Sequence, residues 1–100
     1  MKGDALFFDM DIETYAIRVS GRVQGVGYRA AAVRRAHLIG VRGWVRNVAD
    51  GTVEGVIQGS VDQVDRMLEW LRLGPPMARV EIVDSERIPD DRRFSHFEQR

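Results

Sequence analysis

Three features of this 100-residue chain predict an α+β fold. Strand-like alternation and helix-like spacing follow one another in the order β-α-β-β-α-β. Glycine or proline punctuates each change of period. Both helical segments offer an apolar face that needs cover, and one antiparallel sheet can supply it. Together these predict a ferredoxin-like βαββαβ sandwich, with two helices on one face of an antiparallel sheet. A chain of this size buries about two-thirds of its unfolded surface, enough for one two-layer core.

Residues 1 to 12 are expected to form a flexible N-terminal extension and residues 13 to 100 a single domain. From Glu13 to Ser20, Tyr15, Ile17 and Val19 alternate with Thr14, Ala16 and Arg18, the pattern of a strand. The glycine-rich run GRVQGVG follows. Residues 28 to 39, YRAAAVRRAHLI, read as a helix with Tyr28, Ala32, Ala36 and Ile39 on one face, and Gly40 as its stop. Two β-rich runs then flank Asp50-Gly51, which predicts a hairpin closed by a type I′ turn. Ser60 and Gln63 form a capping-box pattern ahead of a second helix. Its stripe is Val61, Val64, Met67, Leu68 and Leu71, with Trp70 at the rim. Gly74-Pro75-Pro76 ends it. A strand from Ala78 to Arg87 is expected to turn Val80 and Ile82 inward, and a weaker one runs through Phe94 to Glu98.

Composition narrows the function. Hydrophobic residues make up 44% and charged residues 30% of the chain, the balance of a globular domain. Without cysteine there is no disulfide, no thiolate chemistry and no Cys-type zinc site. No apolar run reaches the roughly 20 residues that span a bilayer, and no secretory signal pattern is present, so a cytoplasmic location is expected. Net charge is zero, which argues against a nucleic-acid binder. The charge is nonetheless uneven. Between Thr14 and Ala49 there are seven arginines and no acid; between Asp50 and Asp91 there are ten acids and four arginines. The first half of the chain thus makes a field suited to an anion.

The run SGRVQGVGYR, residues 20 to 29, lies between the first strand and the first helix. A helix start offers unpaired N–H groups and partial positive charge. Glycines let a tight loop turn its N–H groups toward one anion. Arg29 stands in the first helical turn, where a cation opposes the helix dipole unless an anion joins it. Neither G-x-x-x-x-G-K-[ST] nor G-x-G-x-x-G is present. On spacing alone the run reads either as an anion cradle or as a tight strand-to-helix turn.

GRVQGVGYR resembles the signature of the acylphosphatase family. GWVRNVADGTVEGVIQG, residues 43 to 59, is similar to that family's second signature, and GPPMARV, 74 to 80, to its segment after the second helix. The resemblance covers about Tyr15 to Val83. It implies a metal-independent, cofactor-free hydrolase that splits acyl phosphates into a carboxylate and inorganic phosphate. Carried over by position, it implies a phosphate loop of Gly21, Arg22, Val23, Gln24, Gly25, Val26 and Gly27, a catalytic arginine at Arg29 and a catalytic asparagine at Asn47. Those roles are chemically coherent. A carboxylate is a good leaving group, so positioning and charge stabilisation carry the reaction. A neutral amide can orient water by donating and accepting at once. His37 and His96 are read as structural or solvated, and the substrate's own phosphate oxygen as the proton acceptor. The expected partners are a small acyl phosphate and its product, with no nucleic acid, no membrane and a monomeric chain. Two other readings compete. One is a non-catalytic ferredoxin-like module for a small anion or RNA, though one or two sheet aromatics, Trp44 and Tyr15, are few for RNA. The other is the similar domain that opens larger carbamoyl-transfer enzymes.

Overall fold

The computed structural model describes residues 12–89 and 92–100. Apart from Ile12, the expected N-terminal extension lies outside the described residues. Five strands and two helices succeed one another: β1 (Ile12–Arg22), α1 (Tyr28–Ile39), β2 (Arg42–Asn47), β3 (Val53–Ser60), α2 (Val61–Leu73), β4 (Arg79–Arg87) and β5 (Phe97–Gln99). The sheet order is β4-β1-β3-β2-β5. The first four strands are antiparallel, as a ferredoxin-like sandwich requires. The short β5 pairs parallel to β2, which makes the sheet mixed at that edge.

One face of the sheet is covered by both helices. Ile17, Val19, Val53, Ile57 and Val45 project from it against Tyr28, Ala32, Ala36, Val64, Met67 and Leu71. The α1 face is Tyr28, Ala31, Ala32 and Ala36, with Ile39 packed at the edge of the core and Arg35 exposed. Small alanines let this helix lie close to the sheet. In α2, Val64, Met67, Leu68 and Leu71 are buried as expected, but Val61 is 52% exposed. It sits in the first turn, directly after the cap, before the helix has reached the sheet. Ser60 and Gln63 complete the capping box, each accepting the other's backbone N–H. The Gln63 amide also donates to Ile39 C=O at the end of α1, tying the two helix ends together.

Two expectations are corrected. In β4, Val80 and Val83 pack on the core, while Ile82 is 55% exposed. The cause is a bulge: Gly21 pairs with Val80 but Ser20 pairs with Ile82, so Glu81 is an extra residue and the alternation slips by one. The hairpin turn is also of a different type. A type I′ turn requires positive φ at both central residues, and no residue other than glycine has positive φ. Gly51 N–H instead donates to Val48 C=O and Val48 N–H to Thr52 C=O, a tight turn followed by glycine at φ 94°. Asp50 accepts from the N–H and hydroxyl of Thr52, which holds the turn.

Candidate active site

The end of β1 leads directly into the glycine run. Gly21, at φ 118° opposite the β4 bulge, has no space for a side chain: a Cβ would stand 2.2 Å from the carbonyl oxygen of Arg79. Gly25 and Gly27 take positive φ of 75° and 79°, and added Cβ atoms there would meet nothing within 4 Å. Those two glycines bend the chain and leave open space in front of it. Gly27 caps α1 without a side-chain hydrogen bond, and the first turn contains no acid. The N-terminal dipole of a 12-residue helix therefore faces outward with no anionic side chain to answer it.

Asn47 arrives from the opposite side. It pairs with the fully buried Val53 at the last rung of β2 and β3. Paired residues point to the same face of a sheet, so Asn47 leaves the strand on the helix side, where α1 begins. Gln99 follows the same logic through its parallel pairing with the buried Val45. Val23, Gly25, Gly27, Tyr28, Arg29, Ala30, Asn47 and Gln99 together line a cleft of about 140 Å³. A water molecule takes about 30 Å³ of liquid, so the cleft has room for a small anion and a water.

The loop and the hairpin that carries Asn47 are joined by one side chain. Gln24 donates from its amide nitrogen to Val48 C=O at 2.8 Å and to Thr52 C=O at 2.9 Å. Arg29 is half-buried, and its Nη1 donates to the backbone oxygen of Arg100 at 2.8 Å. The remaining N–H groups of its fork are available to a ligand, since a guanidinium carries five. Tyr28 anchors the start of α1: its hydroxyl donates to Leu71 C=O at 2.7 Å, and burial pushes its phenol well above the usual range.

Of the residues singled out in the sequence, Val23, Gly25, Gly27, Arg29 and Asn47 converge on this cleft. Gly21 and Arg22 belong to the end of β1, with Arg22 exposed, and Val26 packs against the core. The Gln24 side chain turns to the hairpin. Two contributors were missed, Gln99 and the backbone of Arg100. Their signal was the alternation of Phe97 and Gln99 in the last residues, too short to fix a strand without its partner. His37 contacts Phe97 C=O and His96 contacts Ser95 and Glu98, so neither lines the cleft.

Two of the seven arginines in the first half of the chain are answered by acids on the other face of the sheet. Arg18 meets Asp50 and Glu54, Arg46 meets Glu54, and Arg46 and Arg100 flank the Trp44 ring. The hydrogen bonds from Thr52 lower the Asp50 carboxyl, and those from Arg100 and His96 lower Glu98. Among the described residues, no carboxylate side chain pairs with Arg29.

A family model described as acylphosphatase matches residues 15–99. The chain belongs to the acylphosphatase family. An acylphosphatase from Bordetella parapertussis is 60% identical over 91 residues, which cover 91% of this chain and 97% of that relative. One from Burkholderia mallei is 56% identical over 99 residues, 99% of each chain. Among solved structures, an acylphosphatase from Coxiella burnetii superposes with a TM-score of 0.87 at 36% identity, covering 92% of this chain and 96% of that one. Family membership accounts for the two-helix, five-strand frame. Among the described residues, no helix is long and apolar enough to cross a membrane.

Proposed function

We propose that this family member hydrolyses the carboxyl–phosphate bond of acyl phosphates at the cleft between the 21–27 loop and Asn47. Water attacks phosphorus, the bond from phosphorus to the acyl oxygen breaks, and a carboxylate and inorganic phosphate depart. The observation that carries this reading is the convergence of an uncapped helix start, Arg29 and Asn47 on one small cleft. The loop N–H groups and the Arg29 fork hold the phosphoryl oxygens while charge redistributes. Asn47 orients the attacking water in line with the leaving oxygen. The water's proton passes to a phosphoryl oxygen of the substrate, since neither histidine lies at the cleft. No metal is assigned a role. The chain acts as a cytoplasmic monomer of one domain, residues 13 to 100.

Hydrolysis of benzoyl phosphate in the presence of EDTA, followed by loss of ultraviolet absorbance, tests the reading. Turnover well above the spontaneous rate, with competitive inhibition by inorganic phosphate, is the expected result. A folded sample without turnover that still binds phosphate would make the cleft an anion-binding site only.

A further inference from the structure

The cleft is lined by a second amide besides Asn47. Gln99 lies opposite the buried Val45 in the parallel pairing of β2 and β5, and Phe97, two residues before it, is 2% exposed. Alternate residues of a strand share a face, so Gln99 stands on the helix side with Phe97, while Glu98 turns with its partner Trp44 to the other side. Gln99 and Asn47 both line the cleft of about 140 Å³, together with Gly25, Gly27 and Arg29. Of the other polar side chains there, Tyr28 and Arg29 are hydrogen-bonded to backbone carbonyls. Among the described residues neither the Asn47 amide nor the Gln99 amide has a hydrogen-bond partner. Gln24, by contrast, commits its amide nitrogen to the Val48 and Thr52 carbonyls.

Position ties the two amides together. Asn47 stands two residues beyond Val45 on β2. Two residues of strand are about 6.6 Å long and neighbouring strands lie about 4.8 Å apart, which sets the two Cα atoms about 8 Å apart on the diagonal. Both side chains project over that gap from one face, and one water bonded at about 2.9 Å to each amide closes it.

An attacking water needs more than one amide supplies well. Of its tetrahedral directions, one lone pair faces phosphorus and one O–H faces the phosphoryl oxygen that receives the proton. One lone pair and one O–H remain to be held. A single amide carries both a donor and an acceptor, but its N–H and C=O bonds run side by side and do not converge, so one water meets both only through bent hydrogen bonds. Two amides meet it straight, one donating and the other accepting. We propose that Gln99 is a second catalytic amide, which holds the attacking water jointly with Asn47; this rests on the acyl phosphate hydrolysis proposed above. As the water oxygen bonds to phosphorus, the bond from phosphorus to the acyl oxygen breaks and its electron pair leaves with the carboxylate. One water proton passes to a phosphoryl oxygen. The other stays on the attacking oxygen, hydrogen-bonded to an amide carbonyl, and departs in inorganic phosphate.

Hydrolysis of benzoyl phosphate by the wild type, Q99L, N47A and the double variant tests this, with inorganic phosphate as the inhibitor. Leucine is close to glutamine in size and removes the amide, and position 99 is exposed, so the fold accepts it. Q99L should lower kcat about 10-fold, the scale of one hydrogen bond. Inhibition by phosphate should be unchanged, which also shows that the variant is folded. In the N47A background the same substitution should cost less than about 3-fold, because two residues that hold one water are not additive. An unchanged kcat in Q99L overturns the proposal. So does the full loss repeated in the N47A background, which would mean that the two amides act independently. Weaker inhibition of Q99L by phosphate would trace the effect to Arg29, which the neighbouring Arg100 carbonyl holds, and would also overturn it. A wild type without turnover overturns the hydrolase reading and this proposal together; an active wild type beside an unimpaired Q99L overturns this proposal alone.

Discussion

Arg29 and Asn47 divide the work of the cleft, and their substitutions should fail differently. Arg29→Ala removes the charged fork, so phosphate affinity and turnover should fall together, turnover by about 10³-fold or more, the scale of an arginine that stabilises a transferring phosphoryl group. Asn47→Ala should lower kcat by about 10²- to 10³-fold, the scale of one lost oriented donor. Phosphate should still inhibit it at the wild-type concentration, because the loop and Arg29 remain. Equal inhibition of wild type and Arg29→Ala by phosphate would show that the arginine does not bind it. Gln24 acts at one remove. Its amide bonds Val48 and Thr52 carbonyls, so Gln24→Ala should loosen the hairpin that positions Asn47. We expect a fall in kcat with little change in inhibition by phosphate; loss of phosphate binding in this variant would place Gln24 in the cradle itself.

The elements make these residues meet through edges and caps. The β4 bulge at Glu81 accommodates Gly21, and a side chain at position 21 would strike the Arg79 carbonyl. Gly21→Ala should therefore destabilise the β1–β4 pairing and lower the thermal midpoint more than Gly25→Ala, where only backbone conformation is at stake. The two caps of α1 and α2 meet at Gln63, which bonds Ser60 and Ile39 at once. Ser60→Ala should cost about 1 kcal/mol, read as a shift of the urea midpoint at unchanged activity, since this end of the helices lies away from the cleft.

At the scale of the whole molecule, Tyr28 links the helix pair to the loop, and its titration should set the alkaline limit. Burial raises its phenol above the ordinary value of 10.0. The folded state therefore keeps a proton that the unfolded state releases. The contribution is fully present below pH 10 and is lost as pH rises through the folded value, so alkaline unfolding should begin above about pH 10. Tyr28→Phe should flatten this alkaline dependence, at a cost of about 1 kcal/mol near neutral pH for the hydrogen bond to Leu71 C=O. Stability of the wild type that stays level from pH 8 to 12, followed by circular dichroism in urea, would contradict this assignment.

What the sequence by itself determined was local and periodic. The helix faces, the Ser60–Gln63 cap, the Gly40 stop and the Asp50-Gly51 turn position all rest on neighbours within four residues, where spacing and propensity decide. That Val23, Gly25, Gly27, Arg29 and Asn47 belong together was implied by the resemblance of two signature runs; by spacing alone the glycine run read as a cradle or a turn and nothing tied it to Asn47. What only the tertiary structure decided came from pairing between distant segments. A single extra residue opposite β1 exchanged Ile82 for Val83 on the core face. The turn type followed from loop length: the Val48–Thr52 bond encloses three residues, and such a loop takes a tight turn followed by a left-handed glycine, where a two-residue loop would take type I′. The placement of Gln99 and of the Arg100 carbonyl at the cleft depended on a three-residue parallel strand. A strand so short has no periodicity of its own to read, and its hydrogen bonds to β2 exist only once the sheet is formed.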